Sequence, residues 1–143
     1  MSSGVAPPRA ERHAPQDAVV RVNRLLRTFS VQTSAEVGSR LRELCVDQVL
    51  YADPLARAEG VAAMATHVDF LRRVQSGRRM VLSSGVDVVH EYARFAWRLT
   101  DPRGRVQFDG FCVTRFAPSA LFAEVIAFIG PFPPLQMRVT VPT

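Results

Sequence analysis

The chain reads as an α+β domain, with three N-terminal helices packed in the concave face of a strongly curved, mainly antiparallel sheet. Two observations predict this. Apolar residues recur at helical spacing over three segments of the first half, whereas the second half carries long runs of β-branched and aromatic residues separated by short turns. Helices set ahead of an antiparallel sheet gather on one of its faces, because each helix must bury a stripe and the sheet offers a surface to bury it on. With 143 residues and 48% hydrophobic composition, a single core is enough for the chain. The expected domain covers residues 16–132, between a flexible leader over 1–15, rich in proline and small side chains, and a tail over 133–143.

From Gln16 to Phe29, the apolar residues Val19, Val22, Leu25, Leu26 and Phe29 share one helical face, and Arg21, Arg24 and Arg27 lie opposite. Thr33-Ser34-Ala35-Glu36 is a capping-box pattern, in which the hydroxyl accepts from an early backbone N–H and the glutamate reaches back. It opens a second helix that buries Val37, Leu41 and Leu44 and ends near Cys45. Val46 to Ala52 reads as a short strand, stopped by Asp53-Pro54. After an irregular Leu55 to Glu59, a third helix starts at Gly60. Its apolar line Val61, Met64, Val68 and Leu71 is flanked by Ala63, His67, Phe70 and Val74, which predicts a broad buried face. Gln75-Ser76-Gly77 closes it.

Four long strands follow, over Met80–Val89, Ala93–Thr100, Val106–Phe116 and Leu121–Ile129. The breakers between them are His90-Glu91, Asp101-Pro102-Arg103-Gly104, which fits a type I turn, and Pro118-Ser119. Turns this short join antiparallel neighbours. Phe95, Trp97 and Leu99 alternate with Arg94, Ala96 and Arg98, so that strand has an apolar and a partly charged side. In the last two strands Phe111, Val113, Ile126 and Phe128 make the face opposite Phe108, Cys112 and Val125 apolar as well. A sheet apolar on both sides predicts a homodimer formed through its outer face.

All 18 basic residues are arginine, against 13 acidic ones. They are scattered and lack the aromatic interleaving of a nucleic-acid stripe, so no nucleic-acid partner is expected. Cys45 and Cys112 sit among apolar neighbours and read as buried free thiols rather than a disulfide. His13, His67 and His90 lie far apart with no carboxylate cluster, so neither a metal site nor a cofactor is expected. No apolar run reaches spanning length and the N-terminus lacks a secretory signal core, which predicts a cytoplasmic protein with no membrane association.

The chemistry-bearing candidates centre on Asp53. An aspartate at the end of an apolar run is either a turn-former ahead of proline or a general base whose pKa is raised by apolar neighbours. His67, at the edge of the core-facing stripe, is either a packed helix histidine or a partner for Asp53. Tyr51, Trp97, Phe108, Phe116 and Phe128 are plain core or the aromatic wall of a ligand pocket. Asp87 and Asp109 are expected on solvated outer faces.

The order of elements, together with Tyr51-Ala52-Asp53-Pro54, Gly60-Val61, Ala93-Arg94-Phe95-Ala96-Trp97-Arg98-Leu99, Thr114-Arg115-Phe116 and Ala127-Phe128-Ile129-Gly130-Pro131, resembles the nuclear transport factor 2-like superfamily. Within it the resemblance is to the SnoaL-like polyketide cyclase and ketosteroid isomerase group, over about residues 16–132. It implies a cone whose bent sheet wraps the helices around an apolar pocket. It also implies that Asp53 is the general base, since ketosteroid isomerases place a catalytic Asp before Pro at this point. Their oxyanion-hole tyrosine and protonated aspartate are replaced here by Asn23, which can donate, and Cys112, a poor donor. Polyketide cyclases of the group use a pocket Asp or His as acid/base, which makes His67 the partner for Asp53. An epoxide-hydrolase arrangement would need an Arg between two inward Asp residues; Arg94, Arg98, Asp101 and Asp109 supply the types, but Asp101 belongs to a turn.

The resemblance thus implies a cofactor-free isomerase, cyclase or lyase acting on a hydrophobic, carbonyl-containing metabolite. Asp53 and His67 would be catalytic, and Asn23, Tyr51, Trp97, Phe108, Cys112 and Phe128 would contact the substrate. The alternative is a non-catalytic small-molecule-binding or dimerisation module of the same fold, because half of the isomerase oxyanion hole is missing.

Overall fold

The computed structural model describes residues 15–136. The leader expected over 1–15 lies outside them except for Pro15, as does the tail from 137 onward. Helix α1 (Pro15–Thr28) begins at that proline, one residue earlier than expected; proline suits a first helical turn, where its missing N–H would have had no partner. Helix α2 (Ser34–Leu44) is capped by Thr33, whose hydroxyl accepts from the Glu36 N–H at 3.2 Å. It runs directly into strand β1 (Cys45–Ala52). Short strand β2 (Arg57–Glu59) precedes helix α3 (Val61–Val74). Strands β3 (Arg79–Leu82), β4 (Asp87–Val89), β5 (Tyr92–Thr100), β6 (Val106–Phe116) and β7 (Phe122–Ile129) complete the fold.

The strands form one curved sheet in the order β2-β1-β7-β6-β5-β3, with β4 also paired to β5. All ladders are antiparallel except β1 with β7. That parallel pair brings the first described strand beside the last described one and places Tyr51 opposite Val125, in the interior of the sheet. Helices α1, α2 and α3 bury Val22, Leu25, Val37, Leu41, Met64 and Val68 against the sheet side chains Val49, Tyr51, Phe95, Trp97 and Leu99. Each such fully buried side chain contributes on the order of 1.5–3 kcal/mol through removal of apolar area from water.

The structure departs from the sequence expectations at three points. Met80–Val89 is two strands, because Ser83 and Ser84 bend the chain: the Ala96 N–H donates to the Ser84 hydroxyl at 2.7 Å instead of to a strand carbonyl. The stretch before Gly60 is not wholly irregular, since Arg57–Glu59 pairs with the end of β1 and buries Ala58 against the core. The buried face of α3 is narrow: Met64 and Val68 are fully buried, while Phe70 and Val74 are 48% and 58% exposed. Arg72 donates to Asp69 at 2.7 Å and to the Gln32 carbonyl at 3.2 Å, and Asp69 also accepts from Ser34, which ties α3 to the start of α2. No helix among the described residues is long and apolar enough to cross a membrane.

Candidate functional site

The end of β1 delivers Asp53 into the concave side. Strand alternation turns Val49 and Tyr51 inward, both 2% exposed or less. At Asp53 the chain leaves the ladder in a tight turn: Asp53 N–H donates to the Ala56 carbonyl at 2.9 Å, while Oδ1 accepts from the Leu55 and Ala56 N–H groups at 2.8 and 3.0 Å. The other oxygen, Oδ2, accepts from the Tyr51 hydroxyl at 2.6 Å and lies 2.7 Å from His67 Nε2. The turn reading and the pocket reading of Asp53 are therefore not alternatives. One oxygen serves each.

His67 reaches the carboxylate because of how α3 starts. Gly60 adopts φ 92°, a conformation that favours glycine, and its N–H donates to the Val49 carbonyl at 2.8 Å. The first turn of α3 is thereby pinned to β1, and His67, two turns on, faces back to the end of the same strand. Its ring lies 5.6 Å from the Tyr51 ring and stacks on Phe70. The Asp53 and His67 side chains are only 7% and 13% exposed.

Burial pushes the Asp53 carboxyl up, but the hydrogen bonds from Tyr51, His67 and the Leu55 N–H outweigh it and hold the group below its ordinary 3.8. The expected rise through apolar neighbours is thus reversed: apolar surroundings are present, but donors take up the carboxylate. Tyr51 moves the other way, raised far above its ordinary value by burial and then by the adjacent carboxylate, so it stays a phenol and a donor. Because Asp53 is ionised, the His67 contact requires a proton on Nε2.

Above this array lies a cavity of about 100 Å³ between α1, the end of α3 and the inner face of the sheet. Tyr51 and Asp53 form one side; Leu25 and Leu26 come from α1, Phe29 from the turn after it, and Trp97, Phe108 and Cys112 from the sheet. Trp97 and Cys112 are each 3% exposed, and Trp97 meets Phe108 edge to face. Burial pushes the Cys112 thiol up to about 12 against the opposing effect of the Trp97 indole, so it is a neutral thiol. The Trp97 Nε1–H is buried without a hydrogen-bond partner. Gly110 permits this wall: a Cβ there would collide with the Phe128 carbonyl oxygen and lie 2.7 Å from Trp97 Cζ2.

Of the eight residues proposed from sequence, Tyr51, Asp53, Trp97, Phe108 and Cys112 line the cavity. His67 stands behind the carboxylate, outside the wall. Two are elsewhere. Asn23 donates to the Val19 carbonyl of its own helix at 3.1 Å and is not part of the wall. Phe128 is on the outer face, stacked on Phe111 at 4.7 Å, because it is the ladder partner of outward-facing Phe111. Asp87 and Asp109 also point outward; Asp87 pairs with Arg94 at 2.8 Å and Asp109 stands opposite Arg98 in the β5–β6 register. The reading from sequence missed Leu55, Leu71, Gln75 and Met80 as cavity residues. The helical stripe through Leu71 was a signal for that one, while Leu55 and Gln75 lie in segments without periodicity. Among the described residues no group of three or more His, Cys, Asp or Glu side chains converges.

This architecture has close counterparts among solved structures. A candidate isomerase of the SnoaL-like family from Agrobacterium tumefaciens strain C58 superposes with a TM-score of 0.76, at 22% identity over 81% of this chain and 99% of that one. The chain has the nuclear transport factor 2-like fold. A candidate polyketide cyclase from Sinorhizobium meliloti gives a TM-score of 0.61 at 14% identity, covering 79% of this chain and 97% of that one. An NTF2-like protein of unknown function from Exiguobacterium sp. 255-15 gives 0.59 at 13% identity, covering 77% and 98%. No family model matches the sequence, and no curated protein matches it significantly. A fold shared at these identities leaves function to the site itself.

Proposed function

We propose that the protein is a cofactor-free enzyme of the isomerase, cyclase or lyase type, moving a proton on a small hydrophobic carbonyl compound held in the apolar cavity. The observation that carries this reading is the Tyr51–Asp53–His67 array, an ionised carboxylate in an apolar wall with a phenol and an imidazole on one oxygen. Asp53 is the proton acceptor. Four donors fill its lone pairs, and only the Tyr51 hydroxyl can release it by turning about a single bond. When that hydroxyl swings toward a bound oxygen, Oδ2 regains a site for the proton of the adjacent carbon. A carboxylate so well solvated by donors is a weak base that returns its proton readily, which suits transfer between two carbon positions rather than retention.

The test is exchange of α-protons of a ketone probe, cyclohexanone, into D2O followed by NMR. The native protein should accelerate exchange over buffer, and Asp53→Asn should lose at least about tenfold of that acceleration, the low end of what a positioned base supplies. Equal exchange by a folded Asp53→Asn variant refutes the assignment. Native exchange no faster than buffer favours the second reading, a non-catalytic binding module, which is motivated by the same saturation of Asp53 and by Asn23 being bonded to its own helix.

The outer sheet face is proposed to seat a second copy of the chain. Phe111 and Phe128 form its apolar centre with Phe132, which is 76% exposed, and Arg98 and Asp109 beside them supply charges of both signs, as a two-fold contact requires. Sedimentation should show a dimer at micromolar concentration that Phe132→Ser weakens; a native protein that stays monomeric refutes it.

A further inference from the structure

The one unpartnered buried polar side-chain atom among the described residues is Trp97 Nε1, and it belongs to a side chain in the wall of the cavity that Asp53 also lines. The residue is 3% exposed, so water does not satisfy the indole N–H in this state. The Cys112 thiol lies beside it, and a thiol sulfur is a weak acceptor that leaves the N–H without a hydrogen bond of ordinary geometry. A buried donor left unmade is destabilising, and such groups are rare enough in folded proteins that each calls for a ligand, a water or a strain to explain it. Here the fold keeps the donor in place deliberately in the physical sense: Gly110 alone leaves room for the ring, since any side chain at that position meets Trp97 and the Phe128 backbone.

None of the other polar groups of the wall is a buried donor without a partner. The Asp53 carboxylate accepts and does not donate, the Tyr51 hydroxyl donates to it at 2.6 Å until a ligand draws it away, and the Gln75 amide is only half-buried, at the end of α3. Trp97 Nε1–H is therefore the one buried donor of the described wall left without a partner before a ligand enters. We infer that Trp97 Nε1–H is the hydrogen-bond donor that anchors the oxygen of the ligand, making the site selective for compact ring compounds bearing a carbonyl or enolate oxygen over hydrocarbons of the same shape. It takes the place that Asn23 and Cys112 were expected to fill from sequence. The inference deepens the proposed function and rests on that reading for the identity of the cavity as the ligand site.

Trp97 is the only tryptophan of the chain, so its indole N–H gives a single, unambiguous resonance in a 1H–15N spectrum. The protein is titrated with cyclohexanone and, separately, with methylenecyclohexane, which has the same shape without the acceptor. Cyclohexanone should move the indole proton downfield as it saturates, and methylenecyclohexane should bind about tenfold more weakly without that shift, the ratio expected for one neutral hydrogen bond to a buried donor. Trp97→Phe should abolish the preference while still binding both probes. An indole resonance unmoved at ketone saturation, equal affinities for the two probes in the native protein, or a preference that survives in Trp97→Phe overturns the inference. The outcomes separate from those for catalysis. A ketone that shifts the indole but shows no accelerated exchange leaves the anchor standing and removes the enzyme; exchange that depends on Asp53 with an unmoved indole does the reverse.

Discussion

Replacing Tyr51 by Phe removes one hydroxyl and little else, which makes it the cleanest probe of the Asp53 array. The hydroxyl donates at 2.6 Å to a carboxylate whose side chain is 7% exposed, from a residue that is itself 2% exposed. Hydrogen bonds to charged groups contribute about 1.5–3 kcal/mol, and Asp53 keeps three other donors, so a loss of about 2 kcal/mol is expected at neutral pH. For a domain of this size that lowers Tm by about 4–8 °C. The loss must depend on pH. A carboxyl whose folded pKa is depressed contributes stability that is fully present above its unfolded value and is lost as pH falls through the folded one. Asp53 is depressed below 3.8, and Tyr51→Phe relieves part of that depression. The gap between native protein and variant should therefore be constant from neutral pH to about 5 and narrow as the pH falls below about 4. Urea unfolding followed by the fluorescence of Trp97, at a series of pH values where both proteins remain folded, measures the gap. A difference under about 0.5 kcal/mol at pH 7, or one that stays unchanged into acid, refutes the claim that Tyr51 holds an ionised Asp53.

Two further outcomes test the cavity wall. Gly110→Ala should cost at least about 3 kcal/mol or prevent accumulation of folded protein, because its Cβ collides with backbone that cannot move without opening the β6–β7 ladder; a thermal melt within a degree or two of native refutes the close approach. Cys45 and Cys112, both raised to about 12 by burial, should resist a thiol reagent at pH 8 in the native state and react promptly in urea, and fast labelling of the folded protein counts against their burial.

The helices were legible in sequence because their signals are local. Thr33 and Glu36 mark a cap within one turn, and Val22, Leu25 and Leu26 declare a buried face by spacing alone. The alternation of Phe95, Trp97 and Leu99 likewise announced which side of β5 is covered. Strand continuity was less secure: nothing in Met80–Val89 but two serines and a glycine hints at the break, which depends on Ser84 bonding to Ala96 twelve residues away.

The residues of the site divide along the same line. That Asp53 ends a strand, and that it forms a turn before Pro54, follows from the adjacent sequence. Whether its second oxygen meets donors was decided only when the parallel β1–β7 pair set Tyr51 into the sheet interior and Gly60 pinned α3 so that His67 arrived at 2.7 Å. The sign of the Asp53 pKa shift turned on those contacts, since burial and hydrogen bonding oppose each other and the tertiary structure decides which prevails. Phe128 and Asn23 illustrate the converse. Both have residue types suited to a pocket, yet ladder register turns one outward and a carbonyl one helical turn away occupies the other. Local spacing thus determined the elements and their buried faces, while the tertiary structure alone chose which polar groups converge, because hydrogen bonds act over about 3 Å and periodicity does not carry position to that precision.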